Sequence, residues 1–245
     1  MSAPAPPLLL LDIGNTRLKW AQVQNGQLHA AEPRAHRKRP AALLARLPAE
    51  APDTVWISGV MDARTLAQVR QAVLMRWPCT VHMATTEAVR DGLHNAYAEP
   101  ARLGADRWLA MLGAWAQARG ACVVVDAGTA LTVDVIDSGG RHRGGIIAAG
   151  LHTSRAALLG ATRFATRDAP PPEHAGLGTD TESCVDQGAL LSCLGAIDRA
   201  AAAEPQARRF ITGGDARRLL PHLGAGWVLQ PELVLHGLWH RATLV

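Results

Sequence analysis

The sequence predicts an α/β protein made of two domains that share one repeated design. Two observations predict it. An apolar run ending in an Asp-x-Gly step occurs twice, at Leu8–Gly14 and at Cys122–Gly128, and each copy leads into an alternating strand and a glycine-bearing hairpin. The two aspartates of these steps, Asp12 and Asp126, lie 114 residues apart, close to half of the 245-residue chain. A supersecondary unit repeated at that spacing argues for an internal duplication. The expected division is therefore residues 1–119 and 120–245.

Each element follows from its local pattern. Leu8–Leu11 is a buried strand, Gly14 turns the chain, and the alternating residues that follow, as far as the Asn25-Gly26 pair, form a second strand. Asn25-Gly26 then predicts a type I′ hairpin, because both residues tolerate positive φ. Pro40–Leu47 reads as a short helix, Thr54–Gly59 as a strand, Asp62–Arg76 as a helix and Thr80–Met83 as a strand. Leu103–Arg119 carries Trp108, Leu109, Leu112 and Trp115 at helical spacing, with Gly120 as the stop. The second copy gives an apolar strand from Cys122, an Asp-x-Gly turn, an alternating strand, a Gly139-Gly140 hairpin and a third strand at 141–148. After them come a helix at 151–159, a Pro-rich loop at 168–178, a helix at 181–203, a strand at 209–212 and two closing helices. The seven tryptophans sit in apolar periodic contexts and are expected in the core.

Composition narrows the class. At 48% hydrophobic residues the chain can supply a sizeable core, and no stretch reaches the ~18 apolar residues of a membrane span. Met1–Pro7 has no basic residue before the short Leu8–Leu11 run, so no signal peptide is expected and the protein reads as soluble and cytoplasmic. The net charge of +4 suits anionic small molecules as well as nucleic acid. The densest basic cluster, Arg34–Arg39, has no interleaved aromatic residue for base stacking; it reads as a solvated loop, and nucleic acid is not expected as a partner. Cys79, Cys122, Cys184 and Cys193 fit no zinc pattern and are expected as free thiols.

Two kinds of segment carry chemistry. In Asp12-Ile13-Gly14-Asn15-Thr16, backbone N–H groups and the Asn15 and Thr16 side chains can donate to phosphate oxygens, and Asp12 can hold Mg²⁺ through water. Lys19, one of two lysines, can offset phosphate charge. Apolar-Asp-x-Gly also occurs as a plain turn. Its recurrence at Asp126-Ala127-Gly128-Thr129 favours a pair that clamps a nucleotide. Thr212-Gly213-Gly214-Asp215 adds a strand end open enough to seat an adenine or ribose. The second kind is Tyr97–Trp108, where Asp106 and Arg107 open a helix. There Asp106 can accept a proton from a hydroxyl attacking ATP, and Arg107 can bind an acidic group; a helix cap with a surface ion pair is the plainer alternative.

Four features occur in order: Asp-x-Gly-Asn-Thr at Asp12, Tyr-x-x-Pro-x-x-Leu-Gly-x-Asp-Arg at Tyr97–Arg107, Asp-x-Gly-Thr at Asp126, and a Gly-Gly-x-Ile-x-x-Gly strand end at Gly144–Gly150. In this combination the chain resembles the type III pantothenate kinase, or Bvg accessory factor, family over residues 8–240. The resemblance implies two ribonuclease-H-like domains of the actin-like ATPase architecture around an ATP cleft, and ATP-dependent phosphorylation of pantothenate as the first step of coenzyme A biosynthesis. It implies that Asp12, Ile13, Gly14, Asn15, Thr16, Arg17, Leu18, Lys19 and Thr129 bind ATP. Tyr97, Gly104, Ala105, Asp106 and Arg107 would line the pantothenate site, with Asp106 as general base. Asp126 would hold a monovalent cation, K⁺ or NH₄⁺, and Thr181 would reach the substrate of the other subunit of a homodimer. Two departures stand out: Ala149 where the family has proline, and Asp180 where it has asparagine, which puts a negative charge near an anionic substrate. The other readings are a non-enzymatic transcription accessory protein and another small-molecule kinase of the same superfamily.

Overall fold

The computed structural model describes residues 7–36, 39–47, 50–163 and 176–244. The first sheet contains β1 (Leu8–Ile13), β2 (Arg17–Gln24), β3 (Gln27–Ala30), the short β4 (Arg34–Ala35), β5 (Thr54–Gly59) and β6 (Thr80–Met83). Its order is β3-β2-β1-β5-β6, antiparallel from β3 to β1 and parallel from β1 to β6. The hairpin between β2 and β3 turns on Asn25 and Gly26, both at positive φ (52° and 71°), as the Asn-Gly pair predicts. A 3-10 helix, Pro40–Arg46, and α1 (Ala63–Arg76) cover one face, where Leu9, Leu11, Ile13, Val55, Ile57, Val69 and Val73 form the core. Asp62 caps α1 by accepting the Thr65 N–H at 2.9 Å, and that bond holds its carboxyl below the usual range.

β7 (Val89–Arg90) and β8 (Leu93–His94) are two-residue strands, and α2 (Ala105–Ala118) follows. Every residue of α2 from Arg107 to Trp115 is buried, so the helix is covered all round rather than on one stripe. Its end differs in detail from the sequence reading: Arg119, not Gly120, takes the left-handed conformation, at φ 46°.

The second sheet contains β9 (Cys122–Ala127), β10 (Ala130–Ile136), β11 (His142–Ala149), β12 (Arg208–Thr212) and β13 (Trp227–Leu229). Its order, β11-β10-β9-β12-β13, repeats that of the first sheet: an antiparallel meander of three strands, then two parallel ones. The duplication read from the two Asp-x-Gly steps is thus a duplication of topology. Here α3 (Leu151–Ala161), α4 (Thr181–Ala201) and α5 (Ala216–Leu219) supply the helices, and Val123, Val125, Leu131, Val133, Leu190, Leu194, Ile197 and Ile211 the core. Part of the Pro-rich loop expected at 168–178 lies outside the described residues.

The chain forms two compact units, one built from residues up to Asp91, Tyr97–Gln117 and Glu232 onward, the other from Gly92–Ala96 and Ala118–Pro231. This corrects the expected boundary, since α6 (Leu233–Thr243) belongs to the first unit and not to residues 120–245 as one block. The reason lies in β1. Side chains alternate along a strand, so Leu9, Leu11 and Ile13 face α1 while Leu10 and Asp12 face the other way. That second face needs its own cover, and α6 packs there on β1, β2 and β5 with Leu233, Val234, Leu235 and Leu238 buried. Four leucines in a row are what a strand covered on both faces requires. Arg241 of α6 stacks over Trp56 at 5.0 Å and bonds Glu87 at 3.0 Å, and His240 bonds Asp91 at 2.7 Å.

Five tryptophans, at 20, 56, 77, 108 and 115, are buried, whereas Trp227 and Trp239 are half-buried. The cysteines are free thiols in contrasting settings. Burial pushes the Cys122 thiol up to about 12, and burial with nearby Asp215 raises Cys193, whereas Cys184 is exposed on α4. Since the thiolate is the nucleophile, iodoacetamide at pH 8 is expected to alkylate Cys184 first in the native protein, and Cys122 only after denaturation. Peptide mass spectrometry of a time course checks this; early labelling of Cys122 would contradict the burial of β9.

Candidate active site

The first Asp-x-Gly step turns between β1 and β2. The Gly14 N–H donates to the Arg17 carbonyl at 3.0 Å, leaving Asn15, Thr16 and Arg17 exposed at the tip. Asp12, 4% exposed, is the last residue but one of β1, before the buried Ile13. It pairs with Lys19 across the antiparallel ladder and with Ser58 across the parallel one. Residues directly opposite in a ladder share a face, so Lys19, Asp12 and Ser58 form one row across the sheet. The Ser58 hydroxyl is buried and has no hydrogen-bond partner among the described residues.

The second step differs by one residue. Gly128 N–H donates to Ala130 at 3.0 Å, so the turn between β9 and β10 is shorter. The corresponding row is Thr132, Asp126 and Thr212. Where the first row has an ammonium group, the second has a hydroxyl. The neighbouring backbone crowds in: Gly213 sits at φ +98°, and a Cβ there would lie 2.5 Å from Asp126 Oδ1 and 2.3 Å from the Ala127 oxygen. The Gly213 end of the Gly-Gly step thus packs its backbone against the Asp126 turn. Thr129 is exposed, and its carbonyl is fixed by Gly150 N–H at 3.1 Å and Thr153 Oγ1 at 2.6 Å.

Asp106 stands in the first turn of α2, where the helix dipole favours a carboxylate. It is half-buried, and its Oδ1 accepts the Arg107 N–H at 2.8 Å. A Cβ at Gly104 would fall 2.6 Å from that same oxygen, so glycine makes room for the carboxylate. The same site links to the first turn through Val60. Its N–H bonds the Ile13 carbonyl at 3.2 Å, and its methyl lies 4.0 Å from the Gly104 Cβ position. Within the first unit, the loop carrying Asp106 and the end of β1 therefore share a neighbour. Arg107 is buried rather than a surface cation; it donates to the Tyr97 hydroxyl at 3.1 Å and lies over the Tyr97 ring.

Thr181 is the exposed first residue of α4. Before it, Asp180 makes a capping box: its Oδ1 accepts the Ser183 N–H at 2.7 Å while Ser183 Oγ accepts the Asp180 N–H at 3.2 Å. The charge that departs from the family pattern is thus held by the helix N-terminus. Ala149 ends β11 opposite Ala130, with its carbonyl accepting from Ser154 Oγ at 3.3 Å.

Two histidines near these segments carried no signal in the sequence. His36 contacts the Gly14 carbonyl at 2.8 Å. His142, buried with Asp134 at 3.0 Å, takes the N–H of Ala96, the residue before Tyr97, on Nδ1 at 3.4 Å. Because Nδ1 accepts there, Nε2 carries the hydrogen toward Asp134.

The family model of type III pantothenate kinase matches residues 8–203. A type III pantothenate kinase of Halorhodospira halophila is 36% identical over 246 residues, covering 95% of this chain and 96% of the relative. That of Marinobacter nauticus is also 36% identical, covering 96% and 98%. Among solved structures, a Campylobacter jejuni protein described as a Baf family transcriptional activator aligns with a TM-score of 0.60 and 16% identity, over 97% of this chain and 100% of its own. The ADPNP-bound activator of 2-hydroxyisocaproyl-CoA dehydratase from Clostridium difficile aligns with a TM-score of 0.52 and 12% identity, over 98% of each chain. At such identities these neighbours speak to fold, which is that of the actin-like ATPases.

Proposed function

The chain belongs to the type III pantothenate kinase family, and from that membership we infer that it transfers the γ-phosphoryl group of ATP to the hydroxyl of pantothenate, giving 4′-phosphopantothenate for coenzyme A biosynthesis. The observation that carries this reading is the match over residues 8–203, which spans both Asp-x-Gly turns and the Tyr97–Arg107 loop.

Roles follow from chemistry and position. The Asp12–Lys19 turn receives the ATP phosphates through its N–H groups, the Asn15 and Thr16 side chains and Lys19. Asp12 suits a water-bridged Mg²⁺, because hard divalent ions take oxygen donors and this carboxylate lies at the strand end beside a hydroxyl. Mg²⁺ bound there supplies positive charge against the phosphates. Asp106 takes the proton of the pantothenate hydroxyl while that oxygen bonds the γ-phosphorus and the bond to the ADP oxygen breaks. Tyr97, Gly104, Ala105 and Arg107 shape the pantothenate side, where the Arg107–Tyr97 bond keeps both side chains in place. In the second unit, Thr129 contacts ATP and Asp126 holds the monovalent cation; its flanking threonines make that row an oxygen-only set with no competing ammonium.

Ile147, Leu158, Leu177 and Leu191 expose apolar surface on the second unit, 66% for Ile147 and 93% for Leu177. We read this as the face of a homodimer, through which Thr181 reaches the partner's pantothenate. No described helix is long and apolar enough to cross a membrane, and we infer that the enzyme works in the cytoplasm.

A coupled ADP-release assay tests the reading: turnover is expected to need pantothenate and to rise with K⁺ or NH₄⁺. No pantothenate-dependent turnover under any cation would sink it. Lys19→Met is expected to raise the KM for ATP roughly 10- to 100-fold, the worth of one charge-assisted contact, with the pantothenate KM little changed.

A further inference from the structure

The basic segment Arg34–Arg39 has so far no part in the reaction, yet its described residues fold onto the first phosphate turn. Arg34 and Ala35 form β4, in register with Leu18 and Arg17 of β2, and Arg34 lies over the Trp20 ring at 5.9 Å. This anchoring delivers His36 to the turn. Its N–H donates to the Thr16 carbonyl at 3.1 Å. Its ring turns inward, leaving the residue 3% exposed, and Nε2 lies 2.8 Å from the Gly14 carbonyl oxygen. A carbonyl only accepts, so Nε2 carries the hydrogen.

One residue therefore holds the carbonyls of both Gly14 and Thr16, from 22 and 20 residues along the chain. A trans peptide is planar, with its N–H pointing opposite to its C=O. Fixing the Gly14 carbonyl toward His36 aims the Asn15 N–H away from it, and fixing Thr16 does the same for the Arg17 N–H. These are donors of the exposed tip.

We propose that His36 is a positioning residue of the ATP site, clamping the Gly14 and Thr16 carbonyls so that the Asn15 and Arg17 N–H groups face the nucleotide phosphates. This rests on the reading that the Asp12–Lys19 turn binds those phosphates. His36 does not touch the ligand; it removes the freedom of two peptides to rotate, which the ligand would otherwise have to quench on binding.

The test compares His36→Gln with His36→Asn. The Gln amide reaches the place of Nε2 and can donate to the Gly14 carbonyl, whereas Asn stops at the depth of Nδ1. Both keep a polar side chain and the backbone bond to Thr16. His36→Gln is expected to hold the KM for ATP within about twofold of wild type, and His36→Asn to raise it about tenfold, the worth of one hydrogen bond, at unchanged pantothenate KM. Calorimetric titration with a non-hydrolysable ATP analogue gives the same ratio without turnover, and a thermal melt of each variant reports its folding. Equal ATP affinity in the two variants overturns the proposal. The arm that separates it from its premise is Lys19→Met. If that variant also leaves ATP affinity unchanged, the turn is not the phosphate site; if it weakens ATP while the His36 pair does not differ, only the clamp is wrong.

Discussion

Asp106→Asn is expected to lower kcat by about 10³-fold and to leave the KM for ATP within about twofold, since a positioned general base contributes on the order of 10² to 10⁴. Asparagine is the informative replacement. Its Oδ1 can still accept the Arg107 N–H, so the first turn of α2 stays as it is, and its size fits the space left by Gly104. What it lacks is a lone pair basic enough to take the hydroxyl proton. The loss therefore falls on the chemical step, and single-turnover measurements with both substrates saturating read it directly. A rise in either KM with kcat unchanged would instead make Asp106 a binding group and remove it from proton transfer.

Gly237→Val is expected to destabilise the fold by about 3 kcal/mol or more, the upper range for forcing volume into a packed site. At Gly237 a Cβ would stand 1.8 Å from the Leu109 carbonyl oxygen, and at Gly113 one would stand 2.6 Å from that of Leu233. Both neighbours are backbone, so no rotamer can relieve the clash and α2 and α6 must move apart. Against a typical total of roughly 5–15 kcal/mol, that is enough to cut the folded population in cells. Gly188→Ala is the matched control: it lies mid-helix in α4 with nothing within 4 Å of its Cβ position, and a gain of about 0.5–1 kcal/mol is expected from helix propensity. Urea melts of the two variants should move in opposite directions. An unchanged midpoint for Gly237→Val would mean that the two helices do not touch as described.

What could be read from the chain and what could not divides along physical lines. The strand-turn-strand steps at Asp12 and Asp126 were legible because an apolar run, a glycine and an alternating segment encode them locally. So was the Asn25-Gly26 hairpin, whose φ values only such residues adopt at low cost. The allegiance of α6 was not legible, since its amphipathic pattern says that a face is buried but not against which sheet. The inequality of the two turns emerged only with register: Lys19 and Thr132 hold equivalent places beside Asp12 and Asp126, and a hydrogen-bonded ladder is needed to know it. Asp180 looked like a charge set near an anion, and its capping of α4 appears only when the helix start is fixed. His36 and His142 were invisible because a lone histidine has no spacing to betray it. Each acts through a carbonyl or N–H of a distant segment.

The placement of α6 also bears on how the chain reaches this state. The first unit is discontinuous: its sheet is complete by Met83, but the cover for the Leu10 and Trp56 face arrives only after Glu232. The whole second unit is spliced in between. During synthesis from the N-terminus the second unit can close on itself as soon as it emerges, while the first keeps one apolar sheet face bare until the end. The half that holds the Asp12 turn and the Asp106 loop is thus the first to be made and the last to be finished.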